Sequence, residues 1–253
     1  MTSSLSLKRT FEIARIWARI YQYRSLKLGA LAARVSANTD LKRIHRLGRE
    51  MEDVLRRDPT CAAKYTDYTF WMPFNVARIG RLSLHKALPL RVLDIGCGPG
   101  YFLAAARACG HQCYGIDAPP SILSDVEKRV YSELLGALGC DALVSPLLIE
   151  RYVPMDLPLG DLDLITAFWI CFNRHCQPDE WGVAEWQFFV TDALSHLRDG
   201  GTLHLELNAN PDRYGPRQWY EDKTLEFFRS VGTVEGGIVR IRKPTDRHRM
   251  LVS

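Results

Sequence analysis

Residues 91–102 read RVLDIGCGPGYF: an apolar run with one carboxylate inside it, then glycines at 96, 98 and 100. The opening RVLDIG is short, branched and apolar, which predicts a strand buried on both faces. Alternating glycines after a strand predict a tight turn that opens a helix, since glycine accepts positive φ and leaves backbone N–H groups bare to a ligand. The rest of the chain keeps this rhythm. FLAAARACG predicts a helix, CYGID a strand, SILSDVEKRVYSELLGALG a helix, LLIERYV (147–153) a strand and DLDLITAFW a strand. EWQFFVTDALSHLRDG then predicts a helix, TLHLELN a strand, WYEDKTLEFFRSVG a helix and GIVRIRK a strand, with RHRMLVS as a last antiparallel strand. Strands separated by helices pair in parallel through right-handed crossovers, so the predicted fold is a doubly wound α/β sandwich.

Three details sharpen what the glycine turn holds. The spacing of Gly96, Gly98 and Gly100 is G-x-G-x-G, not the G-x-G-x-x-G of a pyrophosphate site. Asp94 lies two residues before the first glycine, where a carboxylate repels phosphate and suits a cation. Asp117 ends the next predicted strand about 20 residues on, the position from which an acid accepts hydrogen bonds from a ribose diol. Together they describe a nucleoside that carries a positively charged amino-acid arm and no phosphates.

VLDIGCGPG followed by YGID, then DLDLITAF, then LRDGGTLHLEL resembles the class I S-adenosylmethionine-dependent methyltransferases, over residues 90–208. The resemblance implies a mostly parallel, seven-stranded Rossmann-like sheet, S-adenosylmethionine as cofactor, and methyl transfer as the reaction. It assigns Asp94, Gly96, Cys97, Gly98 and Gly100 to the methionine arm and its turn, Asp117 to the ribose hydroxyls, Ala118 to the surroundings of the adenine, and Phe168 to the cofactor-facing end of the fourth strand. One departure stands out. Many relatives place an acid at the end of the third strand to receive the adenine amino group, whereas here Asp156 falls immediately before Leu-Pro in RYVPMDLPLG. Backbone near Tyr152 and Val153 is the replacement that this reading expects.

Methyl transfer is an in-line displacement, so the protein aligns an acceptor and, where the acceptor carries a proton, removes it. The loop after the fourth strand, FWICFNRHCQPDEW, lacks the N/D-P-P-aromatic tetrad of the family's amino-group methylating members. It offers Asn173, Arg174 and His175 as catalytic candidates: histidine titrates near neutrality, arginine clamps an anion and asparagine orients either. Tyr65, Tyr68 and Trp71, in the aromatic segment KYTDYTFWMPFN, are candidates for lining the acceptor pocket, as are Asn208 and Glu206 at the end of the fifth strand. No metal site is expected: Cys171, His175 and Cys176 lack the second ligand pair that zinc sites draw on.

Working outward, the first 60 residues hold 13 Lys and Arg against 6 Asp and Glu, net +7, and the remainder holds 20 against 23, net −3. Residues 4–57 repeat apolar side chains at three- and four-residue steps, which predicts two or three basic amphipathic helices with breaks near 36–38 and 58–59. A helical stretch over 76–88 leads into the first strand. The expected organisation is a helical, basic extension and pocket lid over 1–75 and a cofactor-binding domain over 76–253. Such helices pack on the parent domain, follow nucleic-acid phosphates or lie on anionic lipid.

The composition, 47% hydrophobic and 25% charged, is that of a globular chain without a membrane-length apolar run, and no secretory leader is expected. Seven cysteines without repeating spacing suit free thiols in a reducing compartment, and a cytoplasmic location is expected. Three functions follow from the sequence: methyl transfer to a hydroxyl or carboxylate of a small-molecule or glycan-like acceptor, favoured by the short tail after the fifth strand; methylation of RNA or protein docked by the basic arm; or a non-catalytic cofactor-binding assembly protein.

Overall fold

The computed structural model describes residues 26–174, 179–208 and 220–245, with side chains from residue 28. His175 and Cys176, the basic residues before 26, and the RHRMLVS strand from Arg247 onward lie outside the described residues. Two compact units emerge: Met1–Pro89 with Gly98–His111 and Leu123–Ala142, and Leu90–Cys97 with Gln112–Ile122 and Leu143–Ser253.

The first unit is helical, comprising α1 (Leu26–Ala37), α2 (Leu41–Arg57), α3 (Tyr68–Arg81), α4 (Tyr101–Ala108) and α5 (Asp125–Ala137). The breaks fall where expected, between α1 and α2 and after Arg57. Asp40 starts α2 by accepting the Arg43 N–H at 3.0 Å, and the Ile44, Leu47 and Met51 stripe turns inward. Ser124 and Glu127 form a reciprocal capping box that starts α5. Arg43 reaches Glu133 of α5 at 2.5 Å, raising the guanidinium pKa and holding the carboxyl below its usual range through that hydrogen bond. The helix expected over 76–88 begins at Tyr68 instead. Asp67 caps it by accepting the Phe70 N–H, so the aromatic segment winds into the helix and α3 runs through positions 75 and 76.

The second unit is the sheet: β1 (Arg91–Ile95), β2 (Gln112–Asp117), β3 (Val144–Pro146), β4 (Leu162–Phe168), β5 (Leu197–Glu206), β6 (Thr233–Glu235) and β7 (Ile238–Arg242), with helices α6 (Val183–His196) and α7 (Asp222–Val231). The strand order is β3-β2-β1-β4-β5-β7-β6, parallel from β3 to β5 and antiparallel at β7 and β6. Order reverses between β1 and β4, the arrangement of a doubly wound α/β sheet, whose ligands meet the carboxyl ends of the strands at that reversal. Leu93, Ile165, Leu203, Trp186, Phe189 and Phe228 belong to its core.

Three strands differ from the sequence reading, and one is β5, which opens at Leu197 opposite Leu162, so that residues 197–200 belong to the strand and not to the preceding helix. The third strand is Val144–Pro146, not 147–153: it pairs only Gly115, Ile116 and Asp117 of β2, and Pro146 supplies no N–H to extend an outer ladder. Leu147 and Ile149 are instead partly buried against the core, so the apolar run reflects side-chain packing rather than pairing. At the other edge, Thr233–Glu235 forms β6, which the helical pattern of the preceding residues hid; Gly236, at φ +59, turns it back onto β7.

Candidate functional site

The glycine turn has the geometry that its composition demands. Gly96, Gly98 and Gly100 have φ of +69, +51 and +81, a region that costs any other residue strain. The N–H groups of Gly96 and Cys97 both donate to Ile116 O, at 2.8 and 3.1 Å, tying the start of the turn to β2. A Cβ at Gly96 would meet nothing within 4 Å, whereas one at Gly100 would lie 2.8 Å from Leu135 and 3.3 Å from Cys140. The first glycine therefore faces open space, and the third allows close packing.

Asp94 and Asp117 stand on adjacent strands. Asp94 is 2% exposed, and its Oδ1 accepts the Thr166 hydroxyl of β4 at 2.7 Å. Asp117 closes β2, half-buried, with Oδ1 accepting the Ala118 N–H at 2.6 Å. That bond to its own chain fixes the carboxylate at the strand tip and puts Ala118 directly beside it. The Leu147 N–H donates to Asp117 O at 2.8 Å, so the residues leaving β3 at this tip are Leu147 and Leu148. Tyr152 and Val153 sit further along that loop, both exposed, Tyr152 at φ +57 with its ring 5.8 Å from Phe188 of α6. Desolvation, then the Glu185 carboxylate, raise the Tyr152 phenol pKa.

On the other side of β1, Phe168 ends β4, its ring 5.8 Å from that of His204. Trp169 follows at φ +53, 36% exposed. The loop beyond is pinned to β5: the Ile170 N–H donates to Glu206 O at 3.3 Å, and Asn208 Nδ2 donates to Ile170 O at 2.8 Å. Asn208 thus acts here through the loop backbone, and Glu206, 6% exposed, lies 3.9 Å from His204. Asn173 turns inward, 0% exposed, donating its side-chain amide to the Tyr220 hydroxyl while its backbone carbonyl accepts the Trp181 N–H at 3.0 Å. Arg174 points outward at φ +57, 3.7 Å from Asp179. The structure does not bring Asn173 and Arg174 to one point. Among the described residues no three His, Cys, Asp or Glu side chains converge as a metal set.

Tyr65, Tyr68 and Trp71 belong to the helical unit, where they meet the start of α4. Tyr101, next after Gly100, donates its hydroxyl to Tyr65 O at 2.8 Å and lies 6.1 Å from the Tyr68 ring. Burial drives the Tyr101 phenol pKa strongly upward, so it stays a donor. Tyr68 shares a hydrogen bond of 2.9 Å with Ser36, and Trp71 donates to Lys64 O at 2.8 Å. Sequence reading passed over Thr166 and Leu147. Thr166 carried a signal, one hydroxyl in the buried run LDLITAF, whereas Leu147 carried none because its role is a backbone N–H.

An α/β domain with a bare turn at its strand-order reversal, and an acid on each of two neighbouring strand tips, is a binder of a cationic nucleoside. A methyltransferase-domain family model matches residues 68–232, and the chain belongs to that family, the class I S-adenosylmethionine-dependent methyltransferases. S-adenosylmethionine is the family's cofactor. The chain is similar to the tRNA U34 carboxymethyltransferase of Hydrogenovibrio crunogenus, 27% identical over 143 residues, which are 54% of this chain and 39% of that protein's length. Solved structures similar to it include a TehB-like SAM-dependent methyltransferase from Corynebacterium glutamicum, at 18% identity and TM-score 0.44, covering 78% of this chain and 99% of that one. Another is SAM-bound CalS10, an amino pentose methyltransferase from Micromonospora echinaspora, at 20% identity and TM-score 0.42, covering 66% and 60%.

Proposed function

We propose that this protein transfers the methyl group of S-adenosylmethionine to a hydroxyl or carboxylate of a small-molecule or glycan-like acceptor. The observation that carries the cofactor half is the open turn at Gly96 between Asp94 and Asp117. Asp94 suits the ammonium of the methionine arm, Asp117 the ribose diol, and the turn itself, CGPG, offers no cation for a phosphate. The bound cofactor supplies an electrophilic methyl on a sulfonium sulfur; the protein's part is to orient the acceptor and exclude water.

The acceptor half rests on the loops that leave β2, β3 and β4. In their described residues, 118–124, 147–161, 169–174 and 179–182, the cations are Arg151 and Arg174, against Glu150, Asp156, Asp161, Asp179 and Glu180. Both arginines lie within 4.0 Å of Asp179. The same loops expose Ile122, Leu148, Tyr152, Val153 and Trp169. An apolar, acid-balanced rim suits a compact acceptor better than a phosphate backbone. The second reading, a transfer RNA acceptor gripped by the amino-terminal arm, draws on the tRNA-modifying relative and on the +7 charge of residues 1–60. No helix among the described residues is long and apolar enough to cross a membrane; contact of the basic arm with an anionic lipid surface stays a further proposal.

Labelled S-adenosylmethionine, incubated with the full chain and fractionated metabolite or tRNA pools, tests both readings. Label is expected in the metabolite pool, at a rate nearly indifferent to salt. A product in tRNA whose formation falls ~10³-fold between about 50 and about 200 mM salt would replace the first reading with the second.

A further inference from the structure

Thr166 occupies an unusual place for a hydroxyl. It lies in the middle of β4, is 0% exposed, and is flanked in sequence by Ile165 and Ala167 of the core. Its register partner on β1 is Asp94, so the two side chains stand side by side on one face of the sheet. The hydroxyl lies 2.7 Å from Asp94 Oδ1 and 3.3 Å from Leu93 O. It has one proton to give, and the shorter, charge-assisted contact takes it.

We propose that Thr166 is a positioning residue for the cofactor's methionine arm, acting through the Asp94 carboxylate. An aspartate side chain on a strand turns about χ2 with little resistance. A donor fixed on the neighbouring strand removes that freedom by holding Oδ1, and the threonine is itself stiff at χ1. The carboxylate is thereby presented in one orientation before any ammonium arrives, which is how preorganisation gains affinity without a new ligand contact. Burial strengthens the bond, since no water competes for either partner.

The inference rests on the reading of Asp94 as the acid that receives the ammonium, and calorimetry separates the two. S-adenosylhomocysteine carries the amino-acid arm; 5′-methylthioadenosine keeps adenine, ribose and sulfur but lacks it. Thr166→Val preserves the branched shape and removes the donor, and is expected to weaken S-adenosylhomocysteine ~10-fold while 5′-methylthioadenosine stays within about twofold of wild type. Thr166→Ser restores the donor and the affinity. Equal weakening of both ligands by Thr166→Val, or weakening of neither, overturns the positioning role. Asp94→Asn is the control for the underlying reading: if it leaves S-adenosylhomocysteine binding unchanged, the assignment of Asp94 itself falls. Should Thr166→Val not fold, Thr166→Ala carries the same two-ligand comparison.

Discussion

At the residue scale, the two carboxylates proposed to hold the cofactor stand in different surroundings. Asp94 is nearly sealed from solvent and bonded to a hydroxyl of the adjacent strand, a place where an opposing charge would be most strongly felt. Asp117 is half-exposed at a strand tip and pinned by the Ala118 N–H, an arrangement suited to neutral hydroxyls that arrive from solvent. Asp117→Ala is therefore expected to weaken S-adenosylmethionine binding by about 1–3 kcal/mol, read by titration calorimetry; an unchanged dissociation constant would remove Asp117 from the site. Asn173 illustrates the opposite case. Its side-chain Nδ2 donates to the Tyr220 hydroxyl and its backbone carbonyl accepts from Trp181 in the interior, so that bond of its side chain and that of its main chain hold the loop, while its buried Oδ1 makes no hydrogen bond among the described residues.

Elements matter through how they end. The glycine turn ends where α4 begins, and at Gly100 the space its missing side chain leaves is taken by Leu135 of α5 and by Cys140 just beyond. Gly100→Ala would place a methyl 2.8 Å from Leu135 Cδ2 at a φ of +81. Strain and overpacking together are expected to cost about 2–4 kcal/mol, visible as a lowered denaturation midpoint. Gly96→Ala meets no atom within 4 Å, so its cost is conformational and its steric effect falls on whatever occupies that space. β3 shows the same principle from the sheet side. A strand of three residues that ends in proline hands the chain over at Asp117, which is why Leu147 rather than Tyr152 stands at the acidic tip.

For the whole molecule, stability is linked to thiols that are buried and protonated. Cys140 is fully buried, and burial pushes its pKa from about 9 up to about 11. Its pKa is raised in the folded state, so its contribution is fully present below the unfolded value and is lost as pH climbs from about 9 towards about 11. Thermal melts are expected to fall over that window, with Cys140→Ala flattening the dependence; a melting temperature independent of pH there in both proteins would refute the linkage. None of the six described cysteines is joined in a disulfide.

What the amino-acid order determined by itself was everything that depends on local repetition. The alternation of strand and helix, the strain-tolerant glycines and an acid at each of two strand ends are written in neighbouring residues, because backbone conformation and strand burial act over short stretches. That sufficed for the fold class, the family and the cofactor. Only the tertiary structure decided where β3 stops, that β6 exists, that α3 absorbs the aromatic segment, and that Thr166 stands against Asp94. For β3 and Thr166 the outcome turns on which strand a residue faces, a pairing made between positions tens of residues apart and therefore invisible to periodicity; β6 and α3 turn on a nearby hairpin and cap that the helical pattern masked. The separation of 72 residues between Thr166 and Asp94, closed to 2.7 Å by the register of β1 and β4, is the clearest case.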